Sequence, residues 1–158
     1  MRVEEHFEEF IRLLNHHKVK YLVVGAYALI YYTHPRNTGD IDFFIKTSAG
    51  NAKKILKVLN DFGFKSLDLK ENDFMKSDSI IQFGLIPNRI DIITEISGIN
   101  FDDAFKNRVT GKIGNQKVFF ISPQDLLKNK KAAKRAKDIA DAELLEKYLN
   151  HKNNNKTI

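Results

Sequence analysis

Strand-like and helix-like segments alternate along the first half of the chain, and this order limits the folds that the chain can adopt. Residues 21–24 form a short apolar run that stops at Gly25, and helix-forming and aromatic residues follow as far as Tyr32. This is the pattern of a strand, a glycine turn and a helix. Aromatic and β-branched residues then predict a buried strand at 40–46, and helical spacing returns at 52–62.

The second half of the chain predicts two β-hairpins followed by helices. The first hairpin would pair 79–86 with 89–95, and the second would pair 108–113 with 117–121. From Ser122 onward the spacing is helical, with Ser122 as the N-cap. With an amphipathic first helix, this order predicts an α/β (α+β) fold, in which helices flank a mixed β-sheet and further helices end the chain.

The length and the apolar pattern predict one soluble domain. At 158 residues the chain has about the length of one domain, and we expect residues 1–150 to form it. Residues 151–158 are rich in Asn and Lys, and we expect a frayed, disordered tail there. The longest apolar stretch, Tyr21–Tyr32, is too short to cross a membrane. The acidic N-terminus and the absence of cysteine favour a cytoplasmic protein without a signal peptide.

Two aspartates lie two positions apart in the predicted strand 40–46. Because residues two apart on a strand share a face, Asp40 and Asp42 should point the same way. Like charges so close together repel each other and need a compensating cation, and Mg²⁺ is the usual cation at a site built of oxygen ligands. The alternative is that Asp40 is a turn residue after Thr38 and Gly39, while Asp42 is an edge residue that faces water.

A third aspartate, Asp91, lies among isoleucines in the predicted strand 89–95, where an unpaired charge would be costly. If this strand is adjacent to strand 40–46, Asp91 completes a three-carboxylate metal site. The alternative is that Asp91 only pairs with Arg89, which shares its face.

Gly25 ends a predicted strand and opens a predicted helix. Free backbone N–H groups and the positive end of the helix dipole can therefore face an anion there, and glycine lets that anion approach closely. The alternative is an ordinary strand-to-helix turn.

Most of the excess positive charge lies near the end of the chain, which suggests an anionic partner. Residues 126–158 carry nine basic and four acidic side chains, against 17 and 16 in residues 1–125. If 124–149 is one helix, Lys130 and Lys137 interrupt its apolar stripe, so their charges should point into a cleft or extend out of it.

Asp138 and Asp141 allow two interpretations. Asp141 is about three helical turns from Lys130 and would return to the same face of one continuous helix. Alternatively, Lys134 with Asp138 and Lys137 with Asp141 are ordinary pairs four residues apart that stabilise a helix.

Several of these segments follow one another in a recognisable order over residues 20–145. They are Val23-Val24-Gly25-Ala26, Arg36-x-Thr38, Asp40-Ile41-Asp42, Asp91, Phe101-Asp102-Asp103-Ala104-Phe105, Ser122-Pro123-Gln124-Asp125-Leu126-Leu127, Lys130, Arg135, Lys137-Asp138 and Asp141. In order and spacing they resemble the DNA polymerase beta-type nucleotidyltransferase superfamily, in the small bacterial branch that includes abortive-infection type IV toxins.

The resemblance implies a nucleotidyltransferase-like sheet and a metal-dependent reaction. Asp40, Asp42 and Asp91 would be the catalytic residues and would bind two Mg²⁺ ions, or Mn²⁺. These ions would hold a nucleoside triphosphate and activate an attacking hydroxyl, with Asp91 near the acceptor, where it could also serve as the general base. Residues expected to contact the nucleotide are Gly25, Ala26, Arg36, Thr38, Lys130 and Lys137.

The implied product is an acceptor hydroxyl carrying a nucleoside monophosphate. The acceptor would be RNA such as tRNA, a protein or a small molecule, with a partner antitoxin or a second copy of the chain as further partners. One departure is Ala26, where the family usually has a second glycine or a serine, so that a hydroxyl able to contact phosphate is missing. The alternative function is therefore a catalytically inactive nucleotide- or RNA-binding module of the same fold.

Overall fold

The computed structural model describes residues 3–64, 67–85 and 87–156, and six strands in this part of the chain form one mixed sheet. The strands are β1 (Tyr21–Val24), β2 (Asp40–Ile45), β3 (Ile80–Phe83), β4 (Arg89–Ile93), β5 (Val109–Ile113) and β6 (Gln116–Phe120). Their order across the sheet is β3-β4-β2-β1-β6-β5. Strand β1 is antiparallel to β2 and parallel to β6, while β2 is parallel to β4. The predicted mixed α/β fold is confirmed.

Six α-helices flank this sheet or follow it within the described residues. They are α1 (Val3–His16), α2 (Gly25–Tyr32), α3 (Ala49–Phe62), α4 (Phe101–Lys106), α5 (Pro123–Ala133) and α6 (Ala136–Lys156). Helices α1 and α3 contact each other through the Phe10 and Phe62 rings, and Phe10 also packs on Phe43 of β2. None of the described helices is long and apolar enough to span a membrane.

Both predicted hairpins are present. Strands β3 and β4 pair antiparallel, as do β5 and β6. Ile86, at the end of the predicted strand 79–86, lies outside the described residues. The predicted start of α5 is also confirmed, since the Ser122 side chain accepts a hydrogen bond from the Asp125 N–H at 3.1 Å and Pro123 occupies the first helical position.

The predicted C-terminal helices are present, but residues 124–149 do not form the one continuous helix that a shared stripe of Lys130 and Lys137 requires. Helix α5 ends at Ala133, Lys134 takes a left-handed conformation with φ of 61°, and α6 begins at Ala136. The Asp138 side chain caps the new helix by accepting a hydrogen bond from the Arg135 N–H at 3.2 Å. Because the chain turns here, Lys130 and Lys137 do not share one helical stripe.

Helix α6 also continues further than its composition predicts. It extends through the polar segment that begins at His151 and reaches Lys156, so the predicted tail is helical as far as Lys156, while residues 157 and 158 lie outside the described residues. The side chains of residues 151–154 are exposed, and each added residue of an existing helix gains a backbone hydrogen bond without needing a buried face.

Candidate active site

Strands β2 and β4 bring three carboxylates together. Their parallel register places Asp42 beside Asp91. One carboxylate oxygen from each of Asp40, Asp42 and Asp91 lies within 4.8 Å of the oxygens from the other two. The prediction that the two strands are adjacent and that their aspartates share a face is confirmed. We call Asp40, Asp42 and Asp91 the carboxylate centre.

The carboxylate centre is partly enclosed by protein. Asp91 is 4% exposed, while Asp40 and Asp42 are half-buried. Burial, together with the negative charges of Asp40 and Asp91, raises the pKa of Asp42 to about 7. The positive charge of Lys137 opposes this rise in the pKa. A positive charge near Asp42 would therefore relieve the repulsion within the centre.

The donor atoms of the centre fit hard divalent cations. All three side chains offer only carboxylate oxygens, which are the ligands that Mg²⁺ and Mn²⁺ prefer. Their separation leaves room for a cation between them.

Arg89 contacts two members of the carboxylate centre. Its Nε donates to Asp91 Oδ1 at 2.9 Å, and its Nη2 donates to Asp91 Oδ2 and to Asp40 Oδ2, both at 3.2 Å. The predicted pairing of Arg89 with Asp91 thus exists together with the three-carboxylate cluster, and the two interpretations do not exclude each other. The contact between Arg89 and Asp40 joins the adjacent strands β4 and β2, and the sequence did not predict it.

Gln82 is a further neighbour of the centre that the sequence analysis missed. It faces Asp91 across the β3–β4 pair, and its Nε2 donates to Asp91 Oδ2 at 3.4 Å. The register of the predicted hairpin is the signal that could have identified it.

Gly25 lies directly against the carboxylate centre. It has a φ of +66°, and a Cβ atom at this position would clash with Oδ2 of Asp42. Glycine is therefore required both by the backbone conformation and by the approach of Asp42. Helix α2 begins at Gly25, so the positive end of its dipole lies beside the centre. No side chain caps this end of the helix, and Ala26 is its second residue.

The loop between α2 and β2 carries Thr38 and Arg36 to different places. Thr38 Oγ1 lies 3.5 Å from Asp40 Oδ1, beside the carboxylate centre. Arg36 instead approaches α6, where its Nη1 is 3.6 Å from Asp141 Oδ1.

Lys130 is buried in a second cluster of charges. It is 5% exposed, and its Nζ lies 3.5 Å from Asp138 Oδ1 and 3.3 Å from Asp141 Oδ2. Arg135 donates from Nε to Asp138 Oδ2 at 2.7 Å, and this hydrogen bond lowers the pKa of Asp138. We call Lys130, Asp138 and Asp141 the lysine cluster, which joins α5 to α6.

Lys137 lies at the beginning of α6, and its side chain is exposed. Its positive charge lowers the pKa of Asp42 and so opposes the effect of burial. Lys130 lies in the lysine cluster, with both nearby aspartates already paired to it. Of the residues predicted to contact the nucleotide, the structure thus places Gly25 and Thr38 beside the carboxylate centre.

Comparison with known protein families identifies the family of the chain. The model of a family described as "Nucleotidyltransferase of unknown function (DUF6036)" matches residues 2–152, which is nearly the whole chain. No curated protein is significantly similar to the chain.

Proposed function

Because the chain belongs to this family of nucleotidyltransferases of unknown function, we propose that it transfers a nucleoside monophosphate from a nucleoside triphosphate to a hydroxyl acceptor, with Mg²⁺ as cofactor. One observation carries this proposal, which is the convergence of the carboxylate oxygens of Asp40, Asp42 and Asp91 within 4.8 Å. Nucleotidyl transfer depends on positioning and charge neutralisation rather than on a protein nucleophile, and this centre offers oxygen ligands for that purpose.

The three aspartates would hold two Mg²⁺ ions, or Mn²⁺. Bound at this site, the ions would neutralise the triphosphate and lower the pKa of the attacking hydroxyl. Asp91 would also serve as the general base near the acceptor, as the resemblance implies, and Arg89 and Gln82 would orient its carboxylate.

Three parts of the chain around the centre would bind the triphosphate. The start of α2 at Gly25 and Ala26 presents backbone N–H groups and a positive dipole, which suit an anion. Lys137 of α6 would add a positive charge, which acts on Asp42, and Thr38 would add a hydroxyl beside Asp40. Ala26 lacks the side-chain hydroxyl that would strengthen this phosphate site.

We further propose a relationship to the branch that includes abortive-infection type IV toxins, because the motifs from Gly25 to Asp141 follow one another in the same order as in that branch. The acceptor to test first is RNA, because the excess positive charge lies on residues 126–158 and RNA is a polyanion. A protein acceptor, a small molecule, a partner antitoxin and a second copy of the chain are the other candidates.

The test is a transfer assay with a matched charge control. The protein would be incubated with Mg²⁺, each labelled nucleoside triphosphate in turn and a cell extract, and the labelled fraction would be identified. We expect the double variant Asp40→Asn with Asp42→Asn to lose transfer while staying folded, because it removes charge repulsion. The control changes Asp102 and Asp103 of α4 to Asn, which alters the net charge equally outside the carboxylate centre.

Transfer by the double variant at the wild-type rate would refute the proposed active site. Absence of transfer with every triphosphate, together with metal-independent RNA binding that weakens steeply with salt, would instead identify a catalytically inactive binding module.

A further inference from the structure

The guanidinium group of Arg89 lies between two of the proposed metal ligands. It forms a fork with both oxygens of Asp91, and its Nη2 is also 3.2 Å from Asp40 Oδ2. The Arg89 side chain is 26% exposed, so it can leave this position towards solvent.

A metal ion and this guanidinium group would compete for the same oxygens. Mg²⁺ and Mn²⁺ bind carboxylate oxygens at about 2 Å. A cation bound to the Oδ2 atoms of both Asp40 and Asp91 would therefore lie within about 5 Å of Nη2, which is 3.2 Å from each of these oxygens. Two positive groups this close repel each other in a partly buried site.

Arg89 also has a favourable role as long as no metal is bound. Asp91 is nearly buried, and an unpaired carboxylate in such a place is costly. A forked pair between arginine and carboxylate fixes the orientation of both groups, because two parallel hydrogen bonds form. The contact with Asp40 adds a link from β4 to β2 at the centre itself.

We propose that Arg89 is the internal counter-ion of the carboxylate centre, which orients Asp40 and Asp91 in the metal-free protein and releases Asp40 when a divalent cation binds to both aspartates. Arg89 is thus a positioning residue that sets the affinity for the metal. This inference rests on the proposed metal-dependent function.

Two substitutions separate the charge of Arg89 from its shape. Arg89→Gln keeps a hydrogen-bond donor and removes the positive charge. Arg89→Lys keeps the charge but loses the planar fork that reaches both aspartates. Arg12→Gln is the matched control, because Arg12 forms a similar fork with Glu9, at 3.0 and 2.7 Å, on the exposed surface of α1.

The experiment measures Mn²⁺ binding to the full chain by electron paramagnetic resonance of the free ion, which needs no nucleotide and no turnover. We expect the apparent Kd for Mn²⁺ of Arg89→Gln to fall by about tenfold or more, since a competing positive charge is removed. Arg89→Lys should show a smaller fall, because its ammonium group can leave Asp40 more easily. Arg12→Gln should bind Mn²⁺ as the wild type does.

Folding is monitored in the same samples, because Arg89→Gln leaves Asp91 without its partner. We expect its melting temperature without metal to fall below that of the wild type and to rise more steeply with added Mn²⁺. If Arg89→Gln is unfolded without metal, the Kd of Arg89→Lys takes its place in the comparison, and a Kd equal to or above the wild-type value would overturn the proposal.

The outcomes distinguish the role of Arg89 from the proposed function. If the wild type binds Mn²⁺, and folded Arg89→Gln binds it equally well or more weakly, the counter-ion role is wrong and the metal centre stands. If neither the wild type nor Arg89→Gln binds Mn²⁺, the metal centre itself is refuted, and the inference falls with the proposed function.

Discussion

Asp42→Asn is expected to make the metal-free protein more stable at pH 8. In the folded protein, burial and the charges of Asp40 and Asp91 raise the pKa of Asp42 from 3.8 to about 7. A group whose pKa is raised by folding contributes stability that is complete below its unfolded pKa and is lost as the pH rises through the folded pKa. At pH 8 the wild type therefore carries an ionised Asp42 at a cost in folding free energy, and an uncharged Asn does not carry this cost.

The magnitude follows from the shift in the pKa. A shift of about 3 pH units corresponds to roughly 4 kcal/mol, at about 1.4 kcal/mol per unit. This is an upper limit, because Asp42 is half-buried and water screens part of the repulsion. We expect a gain of about 2 to 4 kcal/mol at pH 8, or roughly 5 to 15 °C in the melting temperature of a domain of this size.

The assay is thermal unfolding with a chelator present, at pH 4 and at pH 8. The gain should be small at pH 4, where Asp42 is protonated in the folded wild type. Asp102→Asn is the control of opposite sign, because a hydrogen bond from Lys46 lowers the pKa of Asp102, so its removal should give no gain at pH 8. Added Mg²⁺ should stabilise the wild type at pH 8 and should have less effect on Asp42→Asn.

Two results would refute this reasoning. The first is a melting temperature of Asp42→Asn at pH 8 that is equal to or below that of the wild type. The second is a gain of the same size at both pH values, since that would show an effect on packing rather than on charge.

Two further substitutions test other parts of the site by chemical denaturation. Gly25→Ala should lower the free energy of unfolding by about 2 kcal/mol or more, because it forces a side chain into a left-handed conformation and against Asp42. Gly50→Ala in α3 meets open space and should be neutral or slightly stabilising, so an equal loss in both variants would contradict the argument. Lys130→Met should cost about 3 to 5 kcal/mol, because two buried aspartates lose their shared partner. The exposed Lys128→Met should change stability by less than about 0.5 kcal/mol, and a comparable loss there would show that burial does not explain the effect.

Much of the fold could be predicted from local patterns. The strand, glycine turn and helix at 21–32 match β1 and α2, and both hairpins are found where turn residues separate two extended runs. These features depend on neighbouring residues, so the sequence carries them directly. The break between α5 and α6 was missed, because the left-handed residue is Lys134 rather than a glycine.

The lysine cluster shows why burial could not be predicted from spacing. On one continuous helix, Lys130 and Asp141 would share a face, and this spacing correctly predicts that they are neighbours. The reason is different, because the two residues lie on separate helices. They meet because α6 turns back against α5, so that Lys130 is enclosed between Asp138 and Asp141. The capping hydrogen bond from the Arg135 N–H to Asp138 was the local signal of a new helix start.

The sequence by itself determined that Asp40 and Asp42 share a face, because side chains alternate along a strand. It also marked Asp91 as a costly charge among isoleucines. Only the tertiary structure decided that β4 lies parallel to β2, which brings Asp91 to Asp42 and Arg89 to Asp40. Strand order depends on how the whole sheet packs, and contacts between side chains about 50 positions apart in the chain leave no periodic pattern in the sequence.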